Sequence, residues 1–290
     1  MRLRAAVEKR GVLCVGIDAH PSVLREWGVT DDVSGLERFA LGVLEALAGE
    51  VALVKPQSAF FERFGSRGVA VLERVVVAAR DAGALVVLDV KRGDIGSTMA
   101  GYAAAYLSDG APLAADAITV SPYLGVGALD PAFELAGRTG RGVFVVARSS
   151  NPEGVEVQAA LTGTGSTVAQ SVVDAVAARN AGRRPVGDLG VVVGATTPAG
   201  ALRLEALNGP ILVPGIGAQG ARLAELPQVF GAAARDVVVT TSRDLLRHGP
   251  HPAALRHAAR RTADEAAALF LSLSRQVHPL SGQVEGGTPG

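Results

Sequence analysis

Eight short runs rich in Val, Ile and Leu recur along this chain, each closing on a polar or Gly-rich segment and passing into apolar residues at helical spacing. A strand covered on both faces reads as a near-continuous apolar run, and strands that alternate with helices pair in parallel. The runs place strands at Leu13 to Asp18, Ala52 to Gln57, Leu85 to Lys91, Ala117 to Ser121, Val143 to Arg148, Gly190 to Thr196, Ile211 to Gly215 and Val237 to Ser242. Between them, Val69 to Ala82 carries apolar residues on one helical face and stops at Gly83, a residue able to take the left-handed cap conformation. Eight such units without a linker or a break in composition predict an α/β fold, a single eight-stranded β/α (TIM) barrel over residues 1–275, rather than a doubly wound sheet with a second domain. The remaining residues, 276–290, end in Gly and Pro and are expected to form a disordered tail. Ser149 to Ser166, after the fifth strand, is long for a βα connection and reads as an active-site loop or lid.

Composition narrows the functional classes. Lys plus Arg (28) balances Asp plus Glu (28), so there is no global basic field to collect nucleic acid or an anionic membrane, and an anionic ligand must be held locally. Aromatic residues are only 4% of the chain, which leaves Ala, Val and Leu to fill the interior. Cys14 is the single cysteine and reads as core filler; it excludes an intrachain disulfide and fits a reducing, cytoplasmic setting. No apolar stretch approaches the roughly 18 residues of a membrane span, and the run from Gly11 to Ile17 is too short for a signal sequence.

The segment Leu88 to Thr98, LDVKRGDIGST, carries the densest chemistry. Strand side chains alternate faces, so Asp89 and Lys91 leave the third strand on one side at its C-terminal end, with Asp94 in the loop beyond. In a β/α barrel that end is where catalytic groups gather. A solvated surface pair is the ordinary account of an Asp/Lys doublet, but inward charges on an otherwise apolar strand are costly unless they serve one another or a ligand.

Gly215 to Gly220, GIGAQG, fits GxGxxG. A dinucleotide fold would want that motif near its first strand and an acidic residue ending the next; here it follows the seventh, and the eighth ends in Thr240, Thr241, Ser242 and Arg243. The loops after strands seven and eight are the usual phosphate site of a β/α barrel, which suits the motif better. Asp18 and Lys55 end strands one and two and could form an ion pair across neighbouring strand ends or contact a ligand. His20 reads as a turn residue. His248 and His251 flank Gly249 and Pro250 without a third ligand nearby, and no metal site is expected.

With Asp89, Lys91, Asp94, Ile95 and Thr98 in place, the segment resembles the Asp-x-Lys-x-x-Asp-Ile and Thr signature of orotidine 5′-monophosphate decarboxylases, and KRGDIGST is most similar to their longer bacterial branch. The likeness runs from GIDAHP at Gly16 through KPQSAFFE at Lys55, SPYLG at Ser121 and PGIGAQG at Pro214 to Ser242 and Arg243. It implies conversion of orotidine 5′-monophosphate to uridine 5′-monophosphate, the last step of de novo pyrimidine nucleotide synthesis, without cofactor or metal, in a homodimer with shared sites. Removing CO₂ leaves a carbanion that the ring delocalises poorly, so positive charge and a proton are needed beside that carbon. The resemblance implies that Lys91 supplies both, as an acid and not as a Schiff-base nucleophile. It further implies that Asp89 lies near the departing carboxylate and that Asp94, Ile95 and Thr98 reach the neighbouring subunit's site. Asp18 and Lys55 would contact the ribose hydroxyls and Ser121 the pyrimidine edge. Gln219 and Arg243 would bind the 5′-phosphate, with backbone around Ser242 assisting and Gly215, Gly217 and Gly220 letting the loop close. Gln57 and Ala59 to Glu62 belong to the branch pattern and are given no role beyond packing around the mouth.

Two rivals share parts of this pattern. Mg²⁺-dependent sugar-phosphate decarboxylases and aldolases on the same barrel carry Asp-x-Lys-x-x-Asp but tend to place an acidic metal ligand at the end of strand two, where this chain has Lys55. A catalytically silent phosphate binder would need none of Asp89, Lys91 and Asp94.

Overall fold

A computed structural model describes residues 2–217 and 220–277, with side chains to Leu269. Its eight strands are β1 (Leu13–Ile17), β2 (Leu53–Pro56), β3 (Leu85–Arg92), β4 (Ala117–Val120), β5 (Gly142–Arg148), β6 (Leu189–Val193), β7 (Ile211–Val213) and β8 (Val237–Thr241). They close into a parallel barrel in sequence order, β8 returning to β1 through Leu13↔Val239, Cys14↔Thr240 and Val15↔Thr241. Each strand expected from the sequence is present, its ends moved by a few residues at most. The helix expected over Val69 to Ala82 spans Gly65–Asp81, and Gly83 follows it at φ +79°.

The two faces of the barrel wall are distinct. One set of buried residues, among them Leu13, Val15, Ile17, Val54, Val86 and Leu88, packs against the surrounding helices. The alternate set, Cys14, Leu53, Val87, Ala117, Phe144, Val192, Leu212 and Val238, forms a separate cluster that fills the barrel interior. Cys14 is fully buried there and its thiol is pushed up to about 12 by desolvation, as suits inert filler. The N-terminal helix Arg2–Arg10 lays Leu3, Ala6 and Val7 beneath this cluster. Its ends are tied down by the Arg2–Asp116 ion pair and by Arg10, which donates to the Gly83 carbonyl at 2.7 Å. A cavity of about 420 Å³ opens at this N-terminal end of the strands, with an apolar floor that includes Leu3, Val7, Leu53 and Phe144 under a rim of arginine and acidic side chains. The charged inner residues lie at the opposite end.

Two connections differ from the simple βα repeat. Ser149 to Ser166 is organised, holding a 3₁₀ turn at Pro152–Gly154, the short helix Val155–Gln158 and a bridge between Leu161 and Thr167. The Gln158 side chain pins its start, donating to Ser149 Oγ at 2.8 Å and accepting the Ser149 N–H at 3.0 Å. Between β6 and β7 no helix forms, because Pro198, Gly200, Gly209 and Pro210 interrupt the segment. A buried side chain replaces the missing packing: Asn180, at the end of helix Val168–Asn180, donates to the carbonyls of Leu189 (2.8 Å) and Leu207 (3.0 Å). The closing helix runs from Pro252 to Val277, two residues into the expected tail; the rest of that expectation, 278–290, lies outside the described residues.

Truncating Asn180 would leave those two carbonyls buried and unpaired. Asn180→Ala is expected to cost about 2–4 kcal/mol of unfolding free energy in urea titration, with the barrel still folded in its circular dichroism.

Candidate active site

Counting upward in twos from the apolar inner layer reaches the polar end of the barrel. Cys14 leads to Gly16 and Asp18, Leu53 to Lys55 and Gln57, Val87 to Asp89 and Lys91, Ala117 to Thr119 and Ser121, and Val238 to Thr240 and Ser242. Four of these five inner positions thus change from apolar to polar at the same step, β1 following at Asp18 after Gly16, and the chemistry-bearing side chains of five strands converge at one mouth.

Asp89 is the hub. Its Oδ2 accepts from Lys55 Nζ at 2.8 Å and from Gln57 Nε2 at 2.9 Å; its Oδ1 accepts from Lys91 Nζ at 2.5 Å and from Thr119 Oγ1 at 2.7 Å. The Asp89 and Lys55 side chains are 8% and 7% exposed, whereas Lys91 is 47% exposed and faces the opening. Burial pushes the Asp89 carboxyl up, but the ammonium groups of Lys55 and Lys91 outweigh it and hold the carboxyl well below the usual carboxylate range. Burial likewise pulls Lys55 down, and Asp89 with Asp18 more than reverses this, leaving Lys55 above the usual lysine range. The site is therefore a buried, ionised network whose charges exist because they face one another.

The strand that carries Asp89 and Lys91 is not a plain pleat. Against β4 the register passes from Leu88↔Ile118 directly to Arg92↔Val120, and Lys91 has φ +46°. The two side chains do meet, as alternation predicted, but through a bulge.

Asp94, Ile95 and Thr98 lie on the loop after β3 and the first turn of helix Gly96–Leu107. Asp94 Oδ1 accepts the Ile95 N–H at 2.8 Å, and among the described residues it makes no ion pair with Lys91 within the chain. Ile95 and Thr98 are exposed. Ser121 is half-buried beyond Thr119, and its N–H donates to the Arg92 carbonyl at 2.8 Å.

At β1 and β8, Gly16 leaves room for Asp18 and Ser242, since a Cβ there would lie 2.8 Å from Ser242 Cβ and 3.3 Å from Asp18 Oδ1. Asp18 Oδ1 and Ser242 Oγ are both buried without a hydrogen-bond partner, a costly state that a bound hydroxyl or amide would relieve. Arg243 is exposed at the start of the short helix Arg243–Leu246. Gly215 and Gly217 turn with φ +103° and +75°, and a Cβ on Gly217 would lie 2.8 Å from Asp244 Cβ, so the loops after β7 and β8 are in contact. Gln219 lies outside the described residues. His20 packs edge-on against Phe60 at 4.3 Å, as a turn residue.

The sequence profile of the orotidine 5′-phosphate decarboxylase / HUMPS family matches residues 11–258. The chain belongs to that family. The orotidine 5′-phosphate decarboxylase of Streptomyces coelicolor is 61% identical over 91% of this chain and 95% of its own length, and that of Salinispora tropica 61% over 92% and 97%. A crystal structure from Streptomyces avermitilis at 59% identity covers 93% of this chain and 95% of its own, with a TM-score of 0.91. The decarboxylase structure from Leishmania donovani, at 30% identity, covers 93% and 98% with a TM-score of 0.75.

Within the decarboxylase-family barrel, sequence reasoning missed two members of the network. Gln57 was assigned to packing, yet it donates to Asp89; Thr119 was not singled out, yet its hydroxyl touches both Asp89 and Lys91. The signal was available, since Gln57 lies four residues above Leu53 and Thr119 two above Ala117, on the inner faces beside β3. Glu62, in the run also assigned to packing, accepts from Ser58 and, at 2.5 Å, from Arg92.

Removing Lys55 would strip Asp89 of its most buried counter-charge. Lys55→Met is expected to lose about 3–5 kcal/mol of unfolding free energy at neutral pH. The depressed carboxyl contributes fully above its unfolded value, about pH 4, and loses its contribution as the pH falls; the raised ammonium contributes fully below about pH 10 and loses its contribution as the pH rises. The gap between wild type and Lys55→Met in urea titrations is therefore expected to be widest between these limits and to shrink toward about pH 3.

Proposed function

We propose that this chain decarboxylates orotidine 5′-monophosphate to uridine 5′-monophosphate, with Lys91 as the acid and without a cofactor. The observation that carries the reading is the Lys91 ammonium held at 2.5 Å on a buried carboxylate while remaining 47% exposed to the mouth. An acid must be fixed in direction and still reach its substrate, and Lys91 meets both requirements. In the reaction the bond from the pyrimidine ring to the carboxylate breaks and its electron pair stays on the ring carbon. A proton from Lys91 Nζ then bonds to that carbon, and the neutral amine is reprotonated from solvent. Asp89 would lie beside the departing carboxylate and Lys91 beside the charge that replaces it.

Binding follows the same geometry. Asp18 and Lys55 would contact the ribose hydroxyls, and the loops after β7 and β8, with Gly215, Gly217, Ser242 and Arg243, the 5′-phosphate, for which the resemblance also implies Gln219. Ser121 is the partner that the resemblance implies for the pyrimidine edge; Ser149 and Ser150, at the end of β5, offer the same chemistry from the neighbouring strand. Lys55 at the end of β2 is a cation already committed to Asp89, which disfavours the Mg²⁺-dependent reading.

Two copies acting together fit the loop that carries Asp94. Ile95 is 62% exposed, and Tyr123 and Leu124, on the adjoining loop after β4, are 83% and 54% exposed. Apolar side chains grouped beside a catalytic loop suit a subunit interface, across which Asp94, Ile95 and Thr98 would enter the partner's site.

Loss of orotidine 5′-monophosphate absorbance in excess chelator is the direct test. Wild type should turn over while Lys91→Ala loses at least about 10⁴-fold in rate with its melting temperature little changed. Activity that needs added Mg²⁺, or a Lys91→Ala enzyme near wild-type rate, would overturn the reading. Mixed dimers of Lys91→Ala and Asp94→Ala chains should recover activity, since one of their two sites would be intact; no recovery despite proven mixing would remove the shared site.

A further inference from the structure

Three residues of β3, Asp89 to Lys91, face a single residue of β4, Thr119, because the paired positions on either side are Leu88↔Ile118 and Arg92↔Val120. A bulge of this kind takes its backbone N–H groups out of the ladder, and here it also puts Lys91 into the left-handed region at φ +46°, where a side chain with a Cβ is disfavoured. Such a conformation persists only if its surroundings over-determine it.

Thr119 supplies that constraint. Its Oγ1 accepts the Lys91 N–H at 3.0 Å and donates to Asp89 Oδ1 at 2.7 Å, and the residue is 1% exposed. The hydroxyl has one hydrogen, and a backbone N–H can only donate. Its own hydrogen is therefore committed to Asp89. The same Asp89 oxygen accepts from Lys91 Nζ. Lys91 is thus gripped at both ends, its backbone by Thr119 and its ammonium by the carboxylate that Thr119 also holds.

We infer that Thr119 is a positioning residue for the acid: its hydroxyl locks the β3 bulge so that Lys91 Nζ and Asp89 share one fixed geometry. This rests on Lys91 being the acid of the proposed decarboxylation. Thr119 itself touches no reacting atom and works through Lys91 and Asp89.

The decisive comparison is Thr119→Ser against Thr119→Ala, which both lose the methyl group and differ by one oxygen atom. Thr119→Ser should keep kcat within about threefold of wild type, whereas Thr119→Ala should lose about 100-fold in kcat, the scale of a misplacement near 1 Å. KM and the affinity for uridine 5′-monophosphate should change less than threefold in both. Thr119→Val, which keeps the branched shape, should behave as Thr119→Ala does. Equal losses in the Ser and Ala variants would show a packing role and overturn the inference, as would an Ala variant at wild-type kcat. A crystal structure of Thr119→Ala decides the matter even if wild type fails to decarboxylate the substrate. Lys91 still left-handed with Nζ on Asp89 would sink the inference, and a relaxed bulge would support the lock while the assigned reaction alone falls.

Discussion

A carboxylate buried on the inner face of a barrel must be compensated where it stands, and that requirement on Asp89 organises the site. Its four donors come from β2, the turn beyond it, β3 and β4, so all four contacts exist only if three neighbouring strands keep register. A register slip of one residue would turn Lys55 or Thr119 away from the interior and leave the charge unpaired. Closing the barrel, with β8 paired to β1, fixes that register from both sides. The apolar layer below Asp89 supplies the stability that such a network draws upon, since buried ion pairs by themselves seldom add any.

Charge bookkeeping on the inner face explains why the site divides into two halves. Asp18 and Asp89 are matched by Lys55 and Lys91, so these four inner charges cancel before anything binds. In the proposed reaction an entering carboxylate beside Asp89 would tip that balance; loss of neutral CO₂ would leave the charge on the ring carbon, and the proton passed from Lys91 and replaced from solvent would restore it. A phosphate needs cation and backbone donors of its own, and under the proposed reading it would find them across the barrel at Arg243 and the glycine turn after β7. Binding energy and reacting centre are thereby carried by different strands, an arrangement in which the first can drive the second.

The fold was legible because parallel strands covered on both faces advertise themselves as apolar runs, and all eight lay within a few residues of their expected places. The missing helix between β6 and β7 was hidden because Pro and Gly mark interruptions, while the Asn180 hydrogen bonds that replace it join residues distant in sequence. Asp89, Lys91 and Lys55 were legible as charges on apolar strands. Gln57 and Thr119 were not, since a neutral polar residue near a strand end fits a turn or a barrel rim equally well. Counting in twos from Leu53 and Ala117 separates those cases, provided the inner layer is identified first. The bulge at Lys91 left no mark in composition, for it uses no glycine at the left-handed position.

That absence of glycine has a physical meaning. Gly93 and Gly96 stand close by: a Cβ on Gly93 would lie 2.3 Å from the Ser121 carbonyl oxygen and Gly96 takes φ +51°, so this loop uses permissive residues for space and for left-handed backbone, but not at Lys91. At the left-handed position itself the chain accepts strain in order to keep a lysine side chain there. A glycine would relax the backbone and lose the ammonium; a regular pleat would keep the ammonium and give up the hydroxyl grip on its backbone. Strain and function are coupled at one residue, and the surrounding hydrogen bonds, two of them made by a single hydroxyl on the next strand, hold that residue in place.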